Sequence, residues 1–337
     1  MLINQDFAHS QPKSPVKRKL ELVDLNSHSQ QQATSSSDFN RAIKLLQETI
    51  AKIEGAYAPA TIRAYRADFN DFIHFCHDKK ATALPSHPNL VVQYICKLTD
   101  SNRSSASIRR ALCGLSSIHK LNRLEDPTKD PDVALEMRRM HRKLGRSSSQ
   151  ARSINANTLD KLLLATDNSI RGIRDRALLM VAYDTLCRRS ELVSLQVRDV
   201  KTSMKNGNET SSILLRKSKT DQDSIGKWLH LSQRTHQLLI TWIKYLPENQ
   251  EMLFCGLNRS LDFSPNIGAG QINRIYKRIA RKAGLDESEI KGISGHSMRV
   301  GAAQDLLNSG VSMPIIMQRG RWSKTDTVMR YVEHTNF

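Results

Sequence analysis

The sequence predicts a mainly α protein with a small antiparallel β-sheet, divided into two domains. Three observations lead there. The chain has 337 residues, the length of two ordinary domains. Apolar residues recur at helical spacing over most of it, and alternation typical of strands is confined to one short region beyond the middle. Between residues 145 and 153 the periodicity lapses into "GRSSSQARS", a polar, basic joint.

Taken in order, residues 1–38 are rich in Ser and Gln and poor in aromatics, so a disordered polar tail is expected. Residues 39–146 read as a helical domain. "RAIKLLQETIAKI" has the helical period, and "APATIRAYRADFNDFIHFC" opens on a proline and a threonine, good start signals. "HPNLVVQYICKLTD", "SASIRRALCGLSSIHKLN" and "DPDVALEMRRMHRKLG" follow, each introduced by Ser, Asp or Pro. A linker is expected at 147–156 and a second domain at 157–337. That domain begins with helices ("NTLDKLLLATD", "IRGIRDRALLMVAYDTL"). Two alternating segments, "SSILLRKSKT" and "GKWLHLS", then predict strands around a polar turn. Helices return with "RTHQLLITWIKYL" and "GAGQINRIYKRIARKAG" and continue to the end, one of them stopping at Gly310.

The net charge of +18 points to nucleic acid or an anionic surface. Aromatics are only 5% of the chain, a poor fit to proteins that stack bases of single strands. No apolar run is long enough to span a membrane, and no membrane partner is expected. The five cysteines form no CxxC pair and read as reduced, buried thiols of an intracellular protein. His74, Cys76 and His77 lie close together but inside an apolar helical run, so no metal site is expected. "GAGQIN" lacks the third glycine of a dinucleotide fingerprint and no GxxxxGK[ST] loop occurs, so no nucleotide or other cofactor is implied. On the last two helices of the first domain, Arg109, Arg110, Arg138, Arg139, Arg142 and Lys143 have few acids between them and are candidates for phosphate contact.

Residues 295–334, "GHSMRVGAAQDLLNSGVSMPIIMQRGRWSKTDTVMRYVEH", concentrate His296, Arg299, Trp322 and Tyr331. His296 and Arg299 are spaced to share a helix face, as are Arg188 and Glu191 in "TLCRRSELVSLQ". Lys219 lies in the turn after the first strand, with Lys217 two residues before it. Guanidinium forks match phosphate oxygens bidentately, histidine moves protons near neutral pH, lysine can protonate an alkoxide, and a tyrosine hydroxyl can act as a covalent nucleophile. Cations set where charge develops can stabilise a five-coordinate phosphorus. Together these residue types spell phosphodiester transfer through a phosphotyrosine. Singly, each has a packing reading: Trp322 as a core anchor, Tyr331 as an amphipathic helix residue, Arg299 as a cap.

"GHSMRVGAAQDLLNSGVSMPIIMQRGRW" followed by "VMRYV" resembles the C-terminal signature of the tyrosine recombinases, the phage integrase family. "AYDTLCRRSELVSLQVRDV" is similar to that family's first-arginine region, and "LLRKSKT" to its β-hairpin lysine segment. Over 39–146 the likeness is to a helical core-binding domain. The resemblance implies a two-domain clamp around duplex DNA. It makes Arg188 (selected over Arg189 by the R-x-x-E spacing) and Arg299 the phosphate clamps, and Glu191 their acidic support. Lys219 becomes the general acid, with Lys217 its rival two residues away on the same strand face, His296 a proton-transfer residue, Trp322 an indole donor to the phosphate, and Tyr331 the nucleophile. Arg319, Arg321 and Arg330 are then expected at neighbouring DNA or partner surfaces. The implied substrate is a site with inverted arms, exchanged within a homotetramer for integration, excision, inversion or resolution of a mobile element. The implied setting is the cytoplasm and nucleoid of a bacterial or phage host, or a eukaryotic nucleus. Two alternatives share the resemblance: a catalytically silent DNA-binding relative, and a relaxing topoisomerase. Relatives of this kind continue past the tyrosine into a helix that docks on a neighbour, whereas the sequence stops at Phe337.

Overall fold

A computed structural model of the protein describes residues 25–146, 150–205, 207–217, 226–258, 260 and 262–332. The chain divides into two units, Met1–Ser148 and Ser149–Phe337.

The first unit is all helix: α1 (Leu25–Lys52), α2 (Pro59–Asp78), α3 (Pro88–Asp100), α4 (Ser105–Leu121) and α5 (Pro131–Leu144). Local chemistry sets the boundaries. Pro59, Pro88 and Pro131 take first-turn positions, where a missing N–H costs nothing. The Ser104 hydroxyl accepts from Ser107 N–H, the Asp130 carboxylate from Asp132 N–H, and Gly145 turns the chain out of α5 at φ 75°. Phe69, Phe72, Ile73, Tyr94, Ile95, Ile108, Leu115 and Ile118 fill the core. The expectation of a disordered tail through residue 38 is corrected over 25–38, where α1 is already helical. Once Ala42, Leu46 and Ile50 anchor a turn in the core, each added residue gains a backbone hydrogen bond without a new nucleation cost. Residues 1–24 lie outside the described residues. Cys76 is buried, and the His74 and His77 rings lie against Phe39, which accounts for that trio as packing.

The second unit runs α6 (Ala156–Leu164), α7 (Ile170–Thr185), α8 (Arg189–Leu192), β1 (Val200–Lys205), β2 (Asn208–Leu215), β3 (Lys227–His230), α9 (Gln233–Ile243), α10 (Ala269–Lys282), α11 (Glu287–Gly292), α12 (Ser297–Asn308), α13 (Met313–Gly320) and α14 (Thr325–Val332). The sheet is antiparallel in the order β1–β2–β3, with Ile213 paired to Val200 on one side and Leu229 on the other. Its edge strand β1, "VKTSMK", has too little apolar alternation to be read from sequence and is held by pairing with β2. α7 is buried around most of its circumference, as a central helix must be. Trp242 and Tyr276 complete the main core, the Trp242 indole donating to Leu253 O at 2.8 Å. A smaller apolar cluster of Leu186, Ala302, Ala303, Ile316, Trp322 and Val328 joins α12, α13 and α14, with Tyr331 packed on its edge.

The linker expected at 147–156 is shorter than predicted. Residues 147–149 lie outside the described residues, but Arg152 N–H donates to Gly292 O, Ile154 N–H donates to Ser297 O, and α6 starts at Ala156. Ile154 is fully buried, and one apolar side chain with a core to enter is enough to recruit the segment. It lies so close to α12 that a Cβ on Gly301 would stand 1.9 Å from Ile154 O. Gly301→Ala should therefore cost about 1–3 kcal/mol through forced backbone separation, measured as a lower urea midpoint at unchanged slope.

Candidate active site

The site is built on the C-terminus of α7. Leu186 follows that helix in the left-handed region, at φ 49°, and turns the chain sharply into α8. α7 has no basic residue in its own last turn to meet its terminal carbonyls, and two arginines from later in the chain meet them instead. Leu186 O accepts from Arg299 Nη1 at 2.5 Å and from Arg321 Nη2 at 3.2 Å, and Thr185 O accepts from Arg321 Nη1 at 3.1 Å.

α8 begins at Arg188, whose backbone N–H donates to Glu191 Oε2 at 2.9 Å, half of a capping box. The Arg188 guanidinium bonds the other carboxylate oxygen at 2.6 Å. Arg321 donates to Glu191 Oε2 at 2.9 Å, so one buried carboxylate serves two arginines. Burial by itself would raise the Glu191 carboxyl; Arg321, then Arg188, outweigh it and hold the group below the ordinary carboxylate range.

Arg299 stands in the first turn of α12 and is 1% exposed. Besides Leu186 O it bonds Gly320 O, and its Cζ lies 4.1 Å from the centre of the Trp322 ring, over its face. Burial, then Arg188 and Arg321, push its pKa down to about 10, still protonated at neutral pH. Trp322 is 8% exposed and belongs to the small core, so packing and site roles coincide in it. Its ring lies 5.6 Å from that of Tyr331, which α14 carries half-exposed. Gln304 of α12 fixes that turn by donating to Tyr331 O at 2.8 Å. Arg188, Glu191, Arg299, Trp322 and Tyr331 are thus joined through successive contacts.

His296 caps α12 and keeps a surface-exposed edge. Partial burial, then Arg299, Arg189 and Arg188, hold its pKa below the ordinary 6.5. The ring is therefore neutral at pH 7 and able to take up a proton, a capacity lost as pH falls through its lowered midpoint. A histidine NMR titration should place that midpoint below 6.5, and Arg189→Met should raise it. A midpoint at or above 6.5 in the unaltered protein would defeat this reading.

Lys219 lies outside the described residues, and Lys217 is exposed at the end of the hairpin strand. The lysine tied to the site among the described residues is Lys227, at the start of β3, which donates to Gln318 O at 2.8 Å. Burial and Arg321 lower its pKa. Nothing in the spacing of "GKWLHLS" distinguishes it from Lys217. The expectation that Arg321 faces neighbouring DNA or a partner is corrected: its side chain is 5% exposed and spent on Glu191 and α7, because orphaned carbonyls and a buried carboxylate draw a guanidinium inward.

In the first unit, Asp68 holds Arg110 bidentately at 2.7 and 2.8 Å, Glu136 holds Arg139 at 2.9 Å and Asp100 holds Lys143 at 2.9 Å. Arg109, Arg138 and Arg142 have no such ion pair among the described residues. Among the described residues no group of three or more His, Cys, Asp or Glu is arranged to hold a metal ion, and no described helix is long and apolar enough to cross a membrane.

Comparison with known proteins agrees with this architecture. The model of the phage integrase family matches residues 152–336, and that of the phage integrase N-terminal SAM-like domain matches 43–125. The recombinase Cre of Escherichia phage P1 is 29% identical over 266 residues, covering 74% of this chain and 77% of that protein. An integrase/recombinase XerD homolog of Selenomonas ruminantium is 27% identical over 296 residues, covering 85% and 84%. Among solved structures, the XerH recombinase bound to palindromic difH superposes with a TM-score of 0.63 at 16% identity, covering 90% of this chain and 85% of that one. A lambda integrase dimer at a core site gives 0.61 at 15%, covering 87% and 78%. At such identities the structural likeness speaks for the fold.

Proposed function

The chain belongs to the phage integrase family and is a site-specific tyrosine recombinase, and we propose that it cuts and rejoins duplex DNA through a 3′-phosphotyrosine on Tyr331. The observation that supports this above all is the continuous set of contacts from Arg188 and Glu191 through Arg321 and Leu186 O to Arg299, Trp322 and Tyr331. It gathers permanent positive charge beside a half-exposed phenol.

In the proposed reaction Arg188 and Arg299 grip the non-bridging oxygens of the scissile phosphate, and Glu191 orients Arg188. The Trp322 indole N–H adds a third donor. The Tyr331 oxygen attacks phosphorus as His296 assists removal of its proton. The P–O5′ bond breaks, and the leaving oxygen takes a proton from Lys219 to become a free 5′-hydroxyl. The new phosphotyrosine bond keeps the phosphodiester energy, so a 5′-hydroxyl from the partner duplex can reverse the step without a cofactor. One protomer occupies each inverted arm, and two paired sites hold a homotetramer. Arg109, Arg138 and Arg142, without ion pairs to acids among the described residues, are the better placed candidates for the DNA backbone, since Arg110, Arg139 and Lys143 must first give up carboxylates.

The test uses duplexes that the full chain selects from a randomised inverted-repeat pool, each nicked so that the short cleaved fragment diffuses away. A covalent adduct should accumulate, and mass spectrometry should map it to the peptide carrying Tyr331. An adduct on any DNA, with relaxation of supercoils and no exchange, would indicate a topoisomerase instead. No adduct on a selected duplex would leave a silent DNA-binding relative.

A further inference from the structure

Arg321 stands where a long side chain is least expected. It closes α13 at φ 58° and ψ 47°, a backbone conformation that favours glycine. From there its guanidinium turns inward. Nη1 bonds Thr185 O and Arg319 O, while Nη2 reaches Leu186 O, Cys187 Sγ and Glu191 Oε2. Its Nε is buried without an acceptor. A residue needed only to cap α7 would not also have to share the carboxylate that orients Arg188. The turn it occupies leads directly to Trp322 and on to α14, and Lys227 holds that turn again through Gln318 O.

We infer that Arg321 is a positioning residue for strand transfer: it locks the α13–α14 turn, and so Trp322 and Tyr331, onto Glu191 and the end of α7. This rests on the site assignment above. Arg321 has a second consequence for the reaction. When the Arg188 side chain turns from Glu191 to a phosphate, the buried carboxylate would, but for Arg321, keep only the Arg188 backbone N–H and lose its charged partner, at a desolvation cost. Arg321 stays behind as its counter-charge, so Arg188 is free to move.

The experiment measures single-turnover adduct formation by the full chain, at saturating selected duplex, together with duplex affinity. Arg321→Gly suits the left-handed backbone and removes only the side chain. It should slow cleavage roughly 100-fold, the scale of a small misplacement of reacting groups, with affinity unchanged. Arg321→Lys keeps the charge without the fork and should give an intermediate rate. In a Glu191→Gln background, Arg321→Gly should cost less than in the unaltered protein, because the carboxylate it shares is gone while Thr185 O and Leu186 O remain its partners. An unchanged rate in Arg321→Gly, or an equal loss with and without Glu191, overturns the positioning role alone. If Arg321→Gly does not fold, the lysine variant decides: a wild-type rate overturns the role. If the unaltered protein forms no adduct at all, the site assignment falls and this inference with it.

Discussion

Replacing Tyr331 by phenylalanine should abolish the covalent adduct while leaving fold and DNA affinity in place. The change removes one oxygen from a half-exposed ring whose contact with Trp322, at 5.6 Å between centroids, needs only the ring itself. Stability should therefore stay within about 0.5 kcal/mol. Cleavage should drop by something on the order of 10⁴–10⁶-fold, as when other enzymes lose their nucleophile. The readout is a denaturing gel of the nicked-duplex reaction beside an equilibrium binding curve. Adduct from the phenylalanine variant at more than a trace would assign the nucleophile elsewhere.

Arg299→Ala should be the next most severe change, and it should act on two properties at once. Loss of one preorganised charge at the phosphate should cost roughly 10²–10³-fold in cleavage rate. The protein should also lose stability, because Gly320 O and Leu186 O give up a donor and the Trp322 ring gives up its cation. Each unsatisfied buried carbonyl costs about 1–3 kcal/mol. The net loss should be smaller than that sum, since Leu186 O keeps Arg321 and removing one guanidinium eases the crowding of three. Arg299→Lys should recover part of the stability and little of the rate, a point charge being unable to bridge two carbonyls and a phosphate. Urea unfolding and single-turnover cleavage separate the two effects; loss of rate with no loss of stability would contradict the buried, doubly bonded arrangement.

Much of this was legible in the sequence, for identifiable reasons. Helix starts such as Ser104 and Asp130 announce themselves because capping is local chemistry. The helical period could be read wherever a helix has one polar face. It fails for β1, an edge strand held by its neighbour, and for the start of α1, whose helicity spreads from a turn further along the chain. Arg188, Glu191, His296, Arg299, Trp322 and Tyr331 could be singled out because their spacing and wording sit in two short strings. Arg321 lies within one of those strings, yet its inward turn cannot be read from it. Its inward turn depends on the carbonyls of Thr185 and Leu186 and on the Glu191 carboxylate, more than a hundred residues away, as the separation of 130 between Arg321 and Glu191 illustrates. Lys227 was overlooked for a similar reason, its link to Gln318 spanning 91 positions.

The sharing of Glu191 has a consequence for the protein's life off its substrate. Arg188, Arg299 and Arg321 crowd around one carboxylate, and after burial, the larger cause, repulsion from Arg188 and Arg321 lowers the Arg299 pKa further. On the proposed reading that excess of charge is uncompensated without DNA, and a bound phosphodiester should repay the stability it costs. By linkage, occupancy and folding then rise together. A protomer between targets should then be the form nearer unfolding and more open to proteolysis, and one seated on DNA the longer-lived form. Turnover of the protein in a cell would accordingly follow the supply of its sites as well as its rate of synthesis.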